Sequence, residues 1–136
     1  MIDDKKSLEI AEDIQTVKKE CWLNSVKALL LRDDLRECYY VEGQYVDPTI
    51  GFPIEHGWIE TKDGTIYDPT LILFGSCQKN QYFAGVRYTY KETSNLRGTL
   101  PRIFRDRNAT HQKQYAEATV AAYLACGIDI HALKNK

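Results

Sequence analysis

The chain has no apolar run near the roughly 18 residues that a membrane-crossing helix needs. Its opening, MIDDKKSLEI, also lacks the apolar stretch of a secretory signal. No membrane contact is therefore expected, and the expected compartment is the cytoplasm. An excess of one charge is missing too: 18 Lys and Arg face 19 Asp and Glu, a net −1. That near-balance argues against general nucleic-acid binding and against a polybasic membrane protein. The four cysteines, Cys21, Cys38, Cys77 and Cys126, stand 17, 39 and 49 residues apart with no C-x-x-C pair. No structural zinc site is expected from such spacing, and no cofactor. Disulfides are disfavoured in a reducing compartment, so each cysteine is either a small core residue or a reactive thiol. Repeats, low-complexity segments and Pro/Gly/Ser-rich linkers are absent, so 1–136 reads as a single domain with one core. Oligomeric state leaves no mark in the sequence.

What is present has a clear order. In LEIAEDIQTV, Leu8, Ile10, Ala11, Ile14 and Val17 recur at helical steps. Lys18-Lys19-Glu20 interrupts this pattern before a more apolar helix, CWLNSVKALLLRD, with Cys21 in its first turn. The middle third reads as strands: ECYYVEGQYV with a bend or bulge at Gly43, the PIEHGWIE…TIYDPT hairpin, and a long strand QYFAGVRYTYKE. A looser stretch then leads to a last helix, ATHQKQYAEATVAAYLAC, with Gly127 just past its end. Helices, antiparallel strands and one helix make an α+β domain, N-terminal helices packed on a small antiparallel sheet, rather than alternating βαβ units.

Three residue types stand out chemically. A helix N-terminus favours a thiolate through its free N–H groups and dipole, and Cys21 alone among the four cysteines is predicted to start a helix. A thiolate nucleophile needs a base, and the base needs an orienter. Of three histidines, His131 lies close to the C-terminus and His111 opens the last helix among polar, solvent-facing neighbours. His56 sits inside a strand between Ile54 and Trp58. Asp68 lies on the following strand. A three-residue loop, Lys62-Asp63-Gly64, pairs Thr61 with Thr65 and sets Asp68 opposite Trp58, one diagonal step from His56 on the same face. A two-residue Asp63-Gly64 turn sets Asp68 and His56 on opposite faces. Both registers are open at this level. The same three side chains are also the right types for an open zinc site, a rival to a metal-free triad. Glu42 and Glu55 read as rim or surface carboxylates.

ECW at a helix start, followed by EHGWIE…DGTIYDPT, resembles the Cys–His–Asp layout of the papain-like and transglutaminase-like superfamily, over about residues 15 to 90. In the transglutaminase-like branch an H-x-W strand precedes a G-x-x-x-D-P strand; here these are His56-Gly57-Trp58 and Gly64 through Pro69. The chain is also similar to small phage and bacterial proteins sharing C-x-x-N-[SA], Y-x-E-G, E-H-x-W, D-P-T and Y-F-x-G-V segments. The resemblance implies Cys21 as nucleophile, His56 as general base and acid, and Asp68 as the residue orienting His56. It implies a papain-like or transglutaminase-like core and acyl transfer from a protein or peptide-like substrate, by hydrolysis, deamidation or transamidation. Gln15, six residues before Cys21, matches the spacing of a papain oxyanion-hole glutamine. Asn24 is an alternative polar group near the thiol, and Trp22 and Trp58 are expected as walls around it or as substrate contacts.

A charge asymmetry supplies the competing expectation. Residues 87–113 carry Arg87, Lys91, Arg97, Arg102, Arg105, Arg107 and Lys113 against Glu92 and Asp106, a balance of +5. A non-catalytic interaction or inhibitor protein, phage-encoded for example, would use such a segment to bind an acidic partner.

Overall fold

The computed structural model describes residues 1–133 and is mixed α+β. Helix α1 (Asp4–Ile14) is N-capped by Asp3, whose carboxylate accepts from Lys6 N–H at 2.8 Å. Gln15, in the left-handed conformation with φ 54°, ends it before the apolar pattern runs out. Helix α2 (Cys21–Leu31) follows a short loop. Strands β1 (Tyr39–Val46), β2 (Pro53–Glu60), β3 (Ile66–Tyr67) and β4 (Gln81–Tyr88) form one antiparallel sheet in the order β3-β2-β1-β4. Helices α3 (Tyr90–Ser94), α4 (Ala109–Ala125) and α5 (Ile130–Leu133) complete five α-helices among the described residues. None is long and apolar enough to cross a membrane.

The β4 strand is shorter than its pattern suggests. Tyr90 looks like a strand residue, but Thr89 and Glu92 form a capping box, and Tyr90 becomes the first residue of α3. Gly43 marks a break in register between β1 and β4, as its place in a β-rich run implies. The core gathers Ile10 of α1, Ala28 and Leu29 of α2, Tyr40 and Ile59 of the sheet, Val86 and Tyr88 of β4, and Ile103. Burying such side chains contributes about 1.5–3 kcal/mol each.

The β2–β3 hairpin decides the site. Ile59 pairs with Tyr67 and Glu60 with Ile66, and Thr61 N–H donates to the Thr65 carbonyl at 2.8 Å. The loop is therefore Lys62-Asp63-Gly64, with Gly64 at φ 90°, where a glycine costs least. Continuing this register sets Asp68 opposite Trp58 and on the His56 face.

Candidate active site

Side chains alternate along β2, so His56 and Trp58 point one way and Gly57 the other. That glycine matters. A Cβ on Gly57 would stand 2.7 Å from Trp22 Cδ1, so the first turn of α2 rests where the strand has no side chain. Ser25 Oγ donates to the Gly57 carbonyl at 3.3 Å and ties the next part of α2 to the same strand residue. The Cys21 side chain, in the first turn of α2, acts on the His56 ring by hydrogen bond and charge.

His56 Nε2 lies 2.7 Å from Asp68 Oδ2. Both side chains are enclosed, at 3% and 0% exposure, whereas Cys21 keeps a small opening to solvent. Since Asp68 occupies Nε2, the ring nitrogen left for Cys21 is Nδ1. Burial works against the imidazolium. The Asp68 carboxylate, by charge and hydrogen bond, and then the Cys21 side chain outweigh it and raise the His56 pKa to about 10. Burial alone would likewise push the Asp68 carboxyl up. The His56 charge and hydrogen bond, the Leu71 N–H and the Tyr82 hydroxyl instead hold it below the usual carboxylate range. At neutral pH the pair therefore sets an imidazolium against a carboxylate.

Helix α2 adds a second feature. Asp3, Thr89 and Asn108 cap α1, α3 and α4 with their side chains, whereas Glu20 makes no such bond to α2. The N–H groups of the turn that carries Cys21 are left without a side-chain cap, where a developing negative charge is best stabilised.

Asp68 is held by more groups than its sequence neighbourhood suggests. Its Oδ1 accepts from Leu71 N–H at 2.9 Å and Thr70 N–H at 3.2 Å, and Oδ2 accepts the Tyr82 hydroxyl at 2.7 Å. The Asp68 N–H donates to Ser7 Oγ of α1 at 2.9 Å. Tyr82 also packs edge-on to Trp58, ring centres 5.0 Å apart, and Tyr45 packs edge-on to His56 at 4.8 Å. Sequence reasoning treats Tyr82 only as a sheet residue and does not reach Ser7. The YF of QYFAGV was the one available signal for the first; nothing near residue 7 signals the second.

The substrate-side expectations fare differently. Asn24 spends its whole amide on structure: Nδ2 donates to the Val17 carbonyl at 2.7 Å and to Thr70 Oγ1 at 2.8 Å, and Oδ1 accepts Val17 N–H at 3.1 Å. It clips the loop before Cys21 to the turn after Asp68 and has no donor left for an oxyanion. Trp58 is fully buried, and its Nε1 has no hydrogen-bond partner among the described residues. Trp22 is partly buried against the core. Gln15 is exposed at the end of α1, and its side chain makes no hydrogen bond among the described residues. Glu42, expected at a rim, is 1% exposed and accepts Tyr40 O–H, Arg102 N–H and Ile103 N–H. His111, expected in solvent, is half-buried with Nδ1 2.7 Å from Asp106 Oδ2.

An open depression of about 500 Å³ adjoins the site through Tyr45 and Leu71, with Asp47, Phe74, Ser76, Lys79 and Asn80 as its other walls. Among the described residues, no group of three His, Cys, Asp or Glu side chains is placed to hold a metal ion. No protein-family model, curated protein or solved structure matches the chain.

Proposed function

We propose that the protein is a thiol-dependent acyl-transfer enzyme with a papain-like or transglutaminase-like core and a Cys21–His56–Asp68 triad. One observation carries the reading: Asp68 holds the buried His56 by Nε2, and the Cys21 side chain at the uncapped start of α2 acts on the same ring. In the proposed reaction the Cys21 thiolate attacks an amide carbonyl carbon of a protein or peptide-like substrate. The carbonyl oxygen takes the negative charge beside the free N–H groups of α2. As the tetrahedral adduct collapses, the His56 imidazolium gives its proton to the leaving nitrogen, and the C–N bond breaks. Water or an amine then attacks the thioester, His56 takes its proton, and Cys21 leaves as thiolate. Asp68 keeps the ring oriented and its charge balanced throughout. A reducing, cytoplasmic setting belongs to the same reading, since the nucleophile must be a free thiol and Cys21, Cys38, Cys77 and Cys126 are all unpaired.

Iodoacetamide at pH 6 tests it. An ordinary thiol, with pKa near 8.5, is then ionised to only about one part in 300. Selective labelling of Cys21, located by peptide mass, is the expected result. Equal, slow labelling of all four cysteines would refute the triad and return the protein to the class of non-catalytic binders.

A further inference from the structure

We infer that the loop 102–107 is a docking site for a short acidic segment of a partner protein, independent of the thiol chemistry. The structure narrows the basic stretch seen in sequence. Arg87 is engaged by Glu60 at 2.8 Å. Outside the stretch, Arg32 meets Glu9, Asp13 and Asp34, and Arg36 meets Asp33. By contrast, Arg102, Arg105 and Arg107 have no carboxylate within ion-pair distance among the described residues, although they share one depression of about 460 Å³ with Phe104 and Asp106. Asp106 could neutralise them but is turned inward. Its Oδ2 takes Tyr88 O–H and His111 Nδ1, both at 2.7 Å, and its Oδ1 takes Asn108 N–H at 2.9 Å. Three arginines thus line one concavity with no carboxylate in ion-pair distance among the described residues, the Arg105 guanidinium lying against Gly98.

The loop is also fixed from beneath. The buried Glu42 carboxylate accepts Arg102 N–H at 2.6 Å and Ile103 N–H at 2.7 Å. Gln112 Nε2 donates to the Ile103 carbonyl at 2.7 Å and the Asp106 carbonyl at 2.6 Å. Ile103 is sunk in the core at 2% exposure, whereas Phe104 beside it is 65% exposed. A backbone held this way loses little freedom on binding, and Arg with an exposed aromatic is a frequent composition of interface hot spots. Planar guanidinium groups match carboxylates in pairs of hydrogen bonds, and the Phe104 ring supplies an apolar contact between them.

Charge complementarity selects the partner. The chain totals −1 and residues 87–113 total +5, which leaves −6 for everything else. A nucleic acid, charged along its whole length, would extend beyond this small patch onto a chain whose other residues sum to −6. A short acidic segment with one apolar side chain to set against Phe104 ends where the patch ends.

The test uses the full chain and a fluorescein-labelled peptide of about ten residues, rich in Glu with a single Leu, read by anisotropy as salt rises from roughly 0.02 to 0.15 M. Saturable binding that weakens with salt is expected. A peptide with Gln in place of Glu, and the R102Q/R107Q double variant, should each weaken binding by about tenfold or more. Phe104→Ser should weaken it at all salt concentrations, because that contact is not electrostatic. Arg97→Gln should leave binding unchanged, since Arg97 lies outside the depression and turns to the Leu96 carbonyl. Thermal melts check that the variants fold; if the double variant does not, Phe104→Ser and Arg107→Gln alone decide. Equal binding of the Gln peptide, equal loss with Arg97→Gln, or no binding at low salt would overturn the site. Tighter, competing binding of a single-stranded oligonucleotide of the same charge would overturn the choice of partner.

Discussion

Two clusters in this molecule are built from the same parts. His56, Asp68 and Tyr82 form one, and His111, Asp106 and Tyr88 form the other. In each, one carboxylate oxygen sits 2.7 Å from an imidazole nitrogen and 2.7 Å from a tyrosine hydroxyl. What differs is the setting. The first His and Asp side chains are 3% and 0% exposed, and the second pair 21% and 7%. Asp68 holds His56 by Nε2 in an enclosed site, whereas Asp106 holds His111 by Nδ1 and joins a loop-pinning network under Arg102, Arg105 and Arg107. A His–Asp–Tyr hydrogen-bond pattern therefore has no chemistry of its own. Enclosure strengthens the electrostatics, and the neighbour at the second nitrogen decides what the imidazole does.

The sharpest way to break the comparison is to remove each carboxylate. Asp68→Asn leaves a buried His56 without its counter-charge and should cost about 3–5 kcal/mol. Asp106→Asn, in a half-open setting, should cost about 1–2 kcal/mol. Urea unfolding measures both; equal losses would mean that enclosure is not what separates the clusters.

The tyrosines come next. Tyr82→Phe removes a hydrogen bond to a buried charge and should cost about 1.5–3 kcal/mol, and Tyr88→Phe about 1 kcal/mol. If Tyr88→Phe proves the more costly, the ranking of the two networks is reversed.

Thiol reactivity should separate the histidines as well. His56→Gln should slow iodoacetamide labelling of Cys21 at pH 6 by about tenfold, the gain in thiolate being partly offset by its lower nucleophilicity. His111→Gln should leave the rate unchanged. A drop with both variants would point to a general loss of structure, which circular dichroism would register.

The pH profile gives the finest distinction. The folded pKa of His56 is raised, so its stabilising contribution is complete below the unfolded value near 6.5 and is lost as pH rises toward about 10. The Asp68 pKa is lowered, so its contribution is present above the ordinary carboxyl range and is lost as pH falls through the folded value. Stability from this pair should therefore peak between about pH 4 and 6.5 and decline on the alkaline side. Urea midpoints from pH 5 to 9, compared with those of His56→Gln, should show that decline in the wild type alone.

Much of the local structure was legible. Apolar periodicity marked α1, α2 and α4; the β-rich run with Gly43 marked β1 and its bulge; and Cys21 stood at a helix start because charged residues precede it. Tyr90 misled, because a β-former's preference is weaker than the capping box that Thr89 and Glu92 close around it. Glu42 and His111 misled for a different reason. A carboxylate in a strand looks solvent-facing until a loop 60 residues away brings two N–H groups to it.

By itself the sequence determined the elements, the α+β class and the residue types available for thiol chemistry, because periodicity, capping and turn residues act within a few positions along the chain. It left open whether Asp68 shares a face with His56, and the three-residue loop of the folded hairpin decided that. The approach of α2 to β2 is tertiary as well, with Trp22 against Gly57 across 35 residues. So is the support of Asp68 by Tyr82 and by Ser7, 14 and 61 residues away. Enclosure, and with it the charge state of the imidazole, is a property of what surrounds a side chain on every side, and most of those neighbours are distant in sequence.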